Sequence, residues 1–482
     1  MRLGPLEVIV LALLAVAMAV TVTLGNSTLV VAGAVGTAVL MAAFLSTPLS
    51  LYILVFSMLM GPEFVAFGGG GGATTARGVT LRFDDLLLLI IGFAWLVKSA
   101  IHKQESLLKA TSLNGPIMLY VAACSIGTVL GVVDGRVKPL SGFFFNLKYF
   151  EYFFLYFMVV NAGITEKEAK GLVIASFVTC LLVSLYAIAQ IPTGQRVSAP
   201  FEGEEGEPNT LGGYLVFMLS IAGGLVLTRG AVQKKWPLVA LMGIGGIALL
   251  ATLSRASYLA VFIIIAVVLL QESYKKPLLF ALLLCLVVSS PVWAPDAVKE
   301  RIFFTFTQSP KEKGQIRVGG VKVDTSTSDR LRQWQKAEVY FKAHPLFGTG
   351  VTGAGLIDAM YPRVLSEAGI VGSMAFALLC WKVFMLAREC LATGLDPAVR
   401  GLARGFLMGF LGLLVHAIGS ATFIIVRIME PFWLYAAIIA LAVMHAHARQ
   451  AVSASAPDSV GAHTGDAHAP SGQPGFARPR AV

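Results

Sequence analysis

The sequence has few charged residues and few cysteines for its length. Charged side chains make up 13% of the 482 residues, about half of what a water-soluble chain carries. This shortage excludes an ordinary cytosolic enzyme, a disordered protein and a nucleic-acid binder built on a basic surface. The five cysteines lie in or beside apolar runs, with neither a CxxC pair nor the Cys and His spacing of a zinc site. We therefore expect no disulfide framework, no metal and no cofactor.

Hydrophobic residues make up 56% of the chain. Runs of about 17 to 24 apolar residues are long enough to cross the ~30 Å hydrocarbon layer as helices. The sequence predicts an all-α polytopic membrane protein with about 12 to 14 transmembrane helices and one large periplasmic loop. The predicted spans are at about 7–24, 29–45, 50–67, 86–101, 116–133, 149–164, 169–191, 209–228, 236–253, 256–271, 277–294, 366–387, 402–420 and 431–446.

The distribution of Lys and Arg predicts the orientation. With a cytoplasmic amino terminus, the inside segments hold 18 basic residues, the short outside segments 8 and one long outside loop 11. Short cytoplasmic loops are the ones enriched in Lys and Arg, so both termini are expected inside. The chain then divides into eleven helices over 1–294, a periplasmic loop over 295–365, three helices over 366–446 and a disordered cytoplasmic tail over 447–482.

Several arginines flank the outer ends of the predicted helices. Arg255 lies in a corner between two helices, Arg196 opens an acidic loop, and Arg427 precedes the last helix. Guanidinium groups hold phosphate oxygens bidentately and keep their charge, so these arginines predict an anionic substrate. Because nucleotide triphosphates do not reach the periplasmic face, the substrate must carry an already activated bond. A polyprenyl pyrophosphate-linked sugar fits, with arginines neutralising the departing pyrophosphate.

Other roles for these residues are also consistent with the sequence. A lone arginine at the position of Arg255 could simply extend its side chain to the membrane interface. Arg427 and Glu430, three residues apart, could form a structural ion pair. His344, before a proline, could turn the chain, and His416 is expected to be a hydrogen-bonded packing residue. The acidic cluster is expected to be a solvated loop and consists of Glu202, Glu204, Glu205 and Glu207.

Four segments together resemble the O-antigen ligase and O-antigen polymerase superfamily of bacterial glycan assembly. They are PNTLGGYLVFML (208–219), TLSRASYLA (252–260), SDRLRQWQKAEVYFKAHPLFGTG (328–350) and YPRVLSEAGIVG (361–372). The resemblance covers about residues 190–445. It implies a metal-independent, inverting glycosyltransferase of the inner membrane that takes glycan from an undecaprenyl pyrophosphate donor on the periplasmic side.

The resemblance also implies which residues form the site. Arg255 and Arg330 would bind the pyrophosphate, with Arg196 and Arg332 as weaker candidates for the same role. Three further candidate site residues are Tyr361, Arg363 and Arg427.

One departure from the family pattern concerns the catalytic base. Ligases usually show a His-Asn pair shortly before the Tyr and Glu, but the residue nine positions before Glu367 is Asp358. A carboxylate within reach of a hydroxyl can accept its proton, so Asp358 is the first candidate base and Glu367 the second. His344 folding back into the site is a third possibility. Asp358 could instead be the N-cap of a helix.

The missing pair favours a polymerase that joins lipid-linked repeats. The alternatives are a ligase that transfers polysaccharide to the lipid A core and, in another class, a non-catalytic transporter of polysaccharide or lipid. The expected partners are an undecaprenyl pyrophosphate-linked glycan, a glycan or lipid A-core acceptor, the bilayer and other polysaccharide assembly proteins. No nucleic acid is expected.

Overall fold

The computed structural model describes most of the chain after residue 45. The described residues are 46–61, 63–67, 79–101, 108–202, 206–272, 295–308, 315–318, 321–393 and 396–455, with isolated positions at 41, 278, 281, 285 and 289. The predicted spans at about 7–24, 29–45 and 277–294 therefore lie outside the described residues, apart from these isolated positions.

Helices make up most of the described structure. In chain order they are α1 (Thr47–Met60), α2 (Phe83–Ile101), α3 (Asn114–Val133), α4 (Pro139–Lys148), α5 (Glu151–Asn161), α6 (Glu166–Gln190), α7 (Pro208–Leu227), α8 (Trp236–Ala251), α9 (Arg255–Glu272), α10 (Asp296–Thr307), α11 (Thr325–Ala343), α12 (Met360–Ala392), α13 (Pro397–His416) and α14 (Val426–Ser455). Two short antiparallel hairpins join β1 (Glu63–Phe67) to β2 (Val79–Arg82) and β3 (Arg317–Val318) to β4 (Val321–Lys322).

Seven stretches within the described residues are long and apolar enough to cross a membrane. They are Asn114–Val133, Pro139–Asn161, Glu166–Thr193, Pro208–Leu227, Met360–Ala392, Pro397–His416 and Val426–Ala451. Three shorter apolar helices accompany them, at Thr47–Met60, Trp236–Ala251 and Arg255–Leu269. The predicted all-α polytopic membrane fold is confirmed.

Several boundaries differ from those predicted by hydropathy. The run at 50–67 is not one helix, because α1 ends at Met60 and residues Glu63–Phe67 form β1. Gly61 is extended because it precedes Pro62, and a residue before proline disfavours the helical conformation. At the other end, α12 starts at Met360, inside the predicted loop, and α14 continues to Ser455, inside the predicted tail.

The predicted periplasmic loop over 295–365 contains regular structure of its own. It includes α10, the hairpin of β3 and β4, and α11. Asp324 is the N-cap of α11, where its side chain accepts a hydrogen bond from the Thr327 amide. The loop therefore presents side chains from helices and not from an irregular coil.

Hydrogen bonds between connecting segments gather several of them at one end of the bundle. The Val197 amide donates to Ala251 at 3.4 Å, and the Met360 amide donates to Ala417 at 3.1 Å. Arg427 Nη1 donates to the Pro200 carbonyl at 2.8 Å. The connections after α6, α8, α11 and α13 therefore meet, and the candidate site lies among them.

Helices α7 and α13 pack closely against each other and approach through glycines. A Cβ at Gly224 of α7 would lie 2.2 Å from the amide nitrogen of Gly405 and 2.5 Å from the Gly401 carbonyl oxygen, both in α13. Real Cβ atoms do not approach backbone that closely. The contact therefore requires glycine at position 224.

We predict that Gly224→Ala lowers the free energy of unfolding by about 1–3 kcal/mol, because the added methyl group forces two backbones apart. The measurement is the thermal denaturation midpoint of the detergent-purified protein. The matched control is Gly246→Ala in α8, where a Cβ would meet nothing within 4 Å. Equal midpoints for the two variants would contradict the proposed packing.

Candidate functional site

The site begins with an ion pair between a membrane helix and the long loop. Arg255 is the first residue of α9, and its Nη2 donates to Asp324 Oδ2 at 2.8 Å. The Asp324 side chain is only 1% exposed and that of Arg255 is 18% exposed. The pair therefore fixes the start of α11 against the start of α9.

Three further arginines lie close to Arg255. Arg330 comes from α11, Arg301 from α10, and Arg196 from the segment between α6 and α7. Arg196 is held by two acceptors, the Thr252 carbonyl at 3.0 Å from Nε and Asn209 Oδ1 at 3.3 Å from Nη2. Arg330 packs against Gly419, where a Cβ would lie 3.7 Å from its guanidinium carbon. Four separate stretches of chain thus contribute to one cluster, which we call the arginine cluster.

The pKa values of three arginines in the cluster are lowered by burial and by repulsion from their neighbours. Burial, followed by the charges of Arg301, Arg255 and Arg330, lowers the pKa of Arg196 to about 10. Burial and then Arg255 also lower the pKa values of Arg301 and Arg330. Each guanidinium acts on its neighbours, so the cluster presents concentrated positive charge suited to an anion.

Asp324 is the buried carboxylate within this cluster. Burial alone would raise the pKa of Asp324, but the hydrogen bonds from Arg255 and Thr327 outweigh it and lower the pKa below the usual value. Asp324 therefore stays ionised and offsets part of the arginine charge.

The structure separates Arg332 from the arginine cluster. Its side chain is 45% exposed and its Nη1 pairs with Asp329 at 2.8 Å, one turn earlier on α11. Arg330 and Arg332 are two residues apart on a helix and so point in different directions. Of the four arginines that the sequence suggested for pyrophosphate, the structure brings together Arg196, Arg255 and Arg330.

Asp358 lies at the edge of the arginine cluster and is exposed. Two hydrogen bonds hold it to α11: the Asp358 amide donates to Gln333 Oε1 at 2.8 Å, and Gln333 Nε2 donates to Asp358 Oδ2 at 3.3 Å. Its charge acts on Arg330. The N-cap of α12 is Ala359, with no side-chain cap, so Asp358 is not the N-cap that one interpretation of the sequence expected.

Glu367 is enclosed by partners of its own. Its Oε2 accepts from the Tyr149 hydroxyl at 2.8 Å, and its Oε1 accepts from the Thr352 amide at 3.2 Å and lies 3.3 Å from Arg363 Nε. The side chain is 3% exposed. The cavity beside it measures about 10 Å³, room for about one water molecule. A sugar ring does not fit there.

A break in α12 explains why Glu367 is held so firmly. Gly369 has φ 62° and ψ −160°, which interrupts the helix. The Ile370 amide donates to the Pro345 carbonyl at 2.8 Å, and the Gly350 amide donates to the Glu367 carbonyl at 2.9 Å. A Cβ at Gly348 would lie 2.5 Å from the Glu367 carbonyl oxygen. The glycine-rich segment after α11, residues 344–355, therefore fits into the break in α12. It requires glycine where its backbone approaches that helix closely.

Three other residues singled out from the sequence have structural roles in this region. His344 is the C-cap of α11, its amide donates to Tyr340, and its carbonyl accepts from Gly348, as expected for a residue that turns the chain. The Tyr361 hydroxyl donates to the Leu414 carbonyl at 2.5 Å and ties α12 to α13. His416 is fully buried and its Nδ1 lies 2.8 Å from Thr422 Oγ1, as expected for a packing histidine.

Of the predicted solvated acidic cluster, Glu204 and Glu205 lie outside the described residues, Glu207 is exposed as expected, and Glu202 is not. The Glu202 side chain is 2% exposed and lies 3.5 Å from Arg427, whose side chain is also 2% exposed. The Ala199 and Glu207 amides both donate to Glu202 at 3.0 Å. Arg427 additionally donates to the Pro200 and Phe201 carbonyls. Arg427 therefore binds the loop after α6 and lies within the first turn of α14, which starts at Val426.

Sequence reasoning missed two members of the site, Arg301 and Asp324. Arg301 lies in a stretch of the long loop without a recognisable motif, and only the fold brings it to Arg255. Asp324 did carry a signal, because Asp followed by Thr-Ser-Thr is typical of a helix N-cap. That signal would have placed the start of α11 but not its pairing with Arg255.

The fold and the site together define a polytopic α-helical membrane protein with partly buried arginines gathered at one end of its bundle. Comparison with protein families shows that residues 238–376 match the model described as O-antigen ligase. This match covers less than a third of the chain and contains three of the four segments quoted above. It confirms the resemblance to the O-antigen ligase and polymerase superfamily, which is a family of enzymes. A search of curated proteins found no match.

The buried pair of Glu202 and Arg427 predicts a pH dependence of stability. Burial outweighs the attraction of Arg427 and raises the pKa of Glu202 to about 7 from its usual 4.5. The folded state then holds a proton that the unfolded state releases, so this contribution is complete below about pH 4.5 and is lost as the pH rises towards 7. We predict that Glu202→Gln removes this loss, so that the denaturation midpoints of variant and wild type agree near pH 4.5 and separate as the pH rises towards 7, with the variant the more stable.

The control for this pH series is Glu338→Gln, whose carboxylate lies at the surface beside Lys342. This variant should keep the wild-type fall. A Glu202→Gln protein whose midpoint follows that of wild type throughout the range would show that Glu202 does not titrate there.

Proposed function

We propose that this chain is a glycosyltransferase that moves a saccharide from an undecaprenyl pyrophosphate-linked donor onto an acceptor glycan at the periplasmic face of the inner membrane. The observation that carries the proposal is the convergence of four arginines from separate stretches of chain, Arg196, Arg255, Arg301 and Arg330. A planar guanidinium matches two phosphate oxygens at once. A diphosphate on a lipid tail supplies the anion and also belongs beside apolar helices.

The orientation rests on the charge bias of the sequence. With 18 basic residues in the inside segments and 8 in the short outside ones, both termini are placed in the cytoplasm. The arginine cluster then faces the periplasm. Nucleotide triphosphates are absent there, so the energy for transfer must come from the bond between the sugar and the diphosphate.

In the proposed reaction the acceptor hydroxyl oxygen bonds to the anomeric carbon while the bond from that carbon to the diphosphate oxygen breaks. The bonding electrons leave with the diphosphate, and the hydroxyl proton passes to a carboxylate. Attack on the face opposite the leaving group inverts the anomeric centre. The arginine cluster stabilises the charge that develops on the leaving oxygen, so the proposal requires neither a metal ion nor a cofactor.

Asp358 is the proposed base. It is exposed, its two hydrogen bonds to Gln333 hold it in place, and it lies near enough to Arg330 to act on its charge. An acceptor hydroxyl can approach it from solvent. Glu367 is enclosed by Tyr149 and Arg363, which supports a role in holding the broken helix.

We predict that Arg255→Ala and Arg330→Ala each lower product formation on the order of 10²-fold or more, because each removes charge stabilisation from the leaving diphosphate. Lysine at either position should restore little, since a point charge does not reproduce the guanidinium fork. Asp358→Asn should also lower turnover, without weakening diphosphate binding. The measurement is mass analysis of glycolipids after the purified protein is incubated with lipid-linked glycan, without metal or nucleotide.

Arg332→Ala is the matched control, because this arginine lies on the same helix but pairs with Asp329 at the surface. It should retain near wild-type activity. Normal transfer by either the Arg255 or the Arg330 variant would withdraw that arginine from the site. A wild-type protein that leaves every covalent bond unchanged would indicate a transporter.

Within this class we propose a polymerase, in which donor and acceptor are both lipid-linked repeats. The support is Asp358 where ligases usually have a His-Asn pair. The ligase that transfers polysaccharide to the lipid A core is a second candidate, favoured by the description of the matching family as O-antigen ligase.

Extraction of surface glycan from a deletion strain decides between these two functions. Loss of a polymerase should leave single repeats on lipid A, which is the result we expect. Long chains stranded on the lipid carrier would contradict it and identify a ligase.

A further inference from the structure

Asp324 is a buried carboxylate inside a site that is proposed to bind an anion. Its Oδ2 accepts from Arg255 at 2.8 Å and its Oδ1 accepts from the Thr327 amide at 3.3 Å. The side chain is 1% exposed. A carboxylate in this position occupies part of the guanidinium surface that a phosphate would use, so it opposes anion binding.

The charges around the cluster suggest why such a residue is present. Asp324 and Asp358 are carboxylates whose charges act on Arg330. With the four guanidinium groups they leave the site about two units positive. A lipid diphosphate esterified to a sugar carries about two negative charges, and the lipid diphosphate that leaves carries about three. When Asp358 takes the acceptor proton it becomes neutral, and the site becomes about three units positive.

We propose that Asp324 is a positioning residue that fixes Arg255 against α11 and, by its charge, keeps the site from holding the diphosphate product too tightly. This inference rests on the proposed function. The charge of the site then matches that of the bound group both before and after transfer. Without the Asp324 carboxylate beside Arg255, the site would carry one more positive charge and would bind the diphosphate product more tightly.

Asp324→Asn tests this role without removing the helix cap, because Asn and Asp are comparable N-caps. We expect the affinity for inorganic pyrophosphate, measured by calorimetry on the purified protein, to rise about tenfold or more, because one buried negative charge is removed. With lipid-linked donor, KM and kcat should both fall, since binding tightens and release slows. A purely structural role would lower stability and leave these affinities in place.

The matched control is Asp329→Asn, which makes the same charge change on the same helix at the exposed pair with Arg332. It should leave pyrophosphate affinity within about twofold of wild type. Asp324→Ser, which also keeps a capping side chain, serves if the Asn variant does not fold.

Unchanged or weaker pyrophosphate affinity in the folded Asp324 variants would overturn this inference alone, provided that the wild type binds pyrophosphate and transfers glycan. A wild type that neither binds pyrophosphate nor transfers glycan would overturn the proposed function itself. If pyrophosphate affinity rose equally in Asp324→Asn and Asp329→Asn, the effect would come from net charge alone, and the specific role of Asp324 would also be overturned.

Discussion

Repulsion among four guanidinium groups is the constraint around which this end of the molecule is organised. Like charges in a poorly solvated site destabilise the fold unless other groups hold them in place. Here the Thr252 carbonyl and Asn209 hold Arg196, and Asp324 holds Arg255. The remaining excess of positive charge is the feature that a diphosphate would neutralise. Under the proposed function, the stability of the protein without ligand and its affinity for ligand therefore depend on the same few contacts.

The glycine-rich segment after α11 helps to hold the structure around the arginine cluster. Its backbone hydrogen-bonds to the broken part of α12 at Gly369, and Glu367 closes the junction through Tyr149, Arg363 and the Thr352 amide. The segment returns the chain from α11 to the membrane helices and leaves Asp358 beside Gln333. Glu367, the second candidate base from the sequence, therefore makes contacts that hold this junction together.

The sequence predicted the features that depend on local composition. Long apolar runs predicted α2, α3, α5 to α9 and α12 to α14, but not α4, α10 or α11, and the Ser-Arg corner placed Arg255 at the start of α9. It did not predict that β1 would replace the end of the run at 50–67, because hydropathy averages do not register the Gly61-Pro62 step. The burial of Glu202 and the approach of Arg301 to Arg255 depend on contacts between distant segments, which spacing along the chain does not encode.

The most direct test of the central claim is an electron cryomicroscopy map of the protein with undecaprenyl diphosphate in a lipid nanodisc. We predict density for the two phosphates among Arg196, Arg255, Arg301 and Arg330, with the lipid tail running along neighbouring apolar helices. Diphosphate density elsewhere, or these four side chains pointing away from a common space, would contradict it.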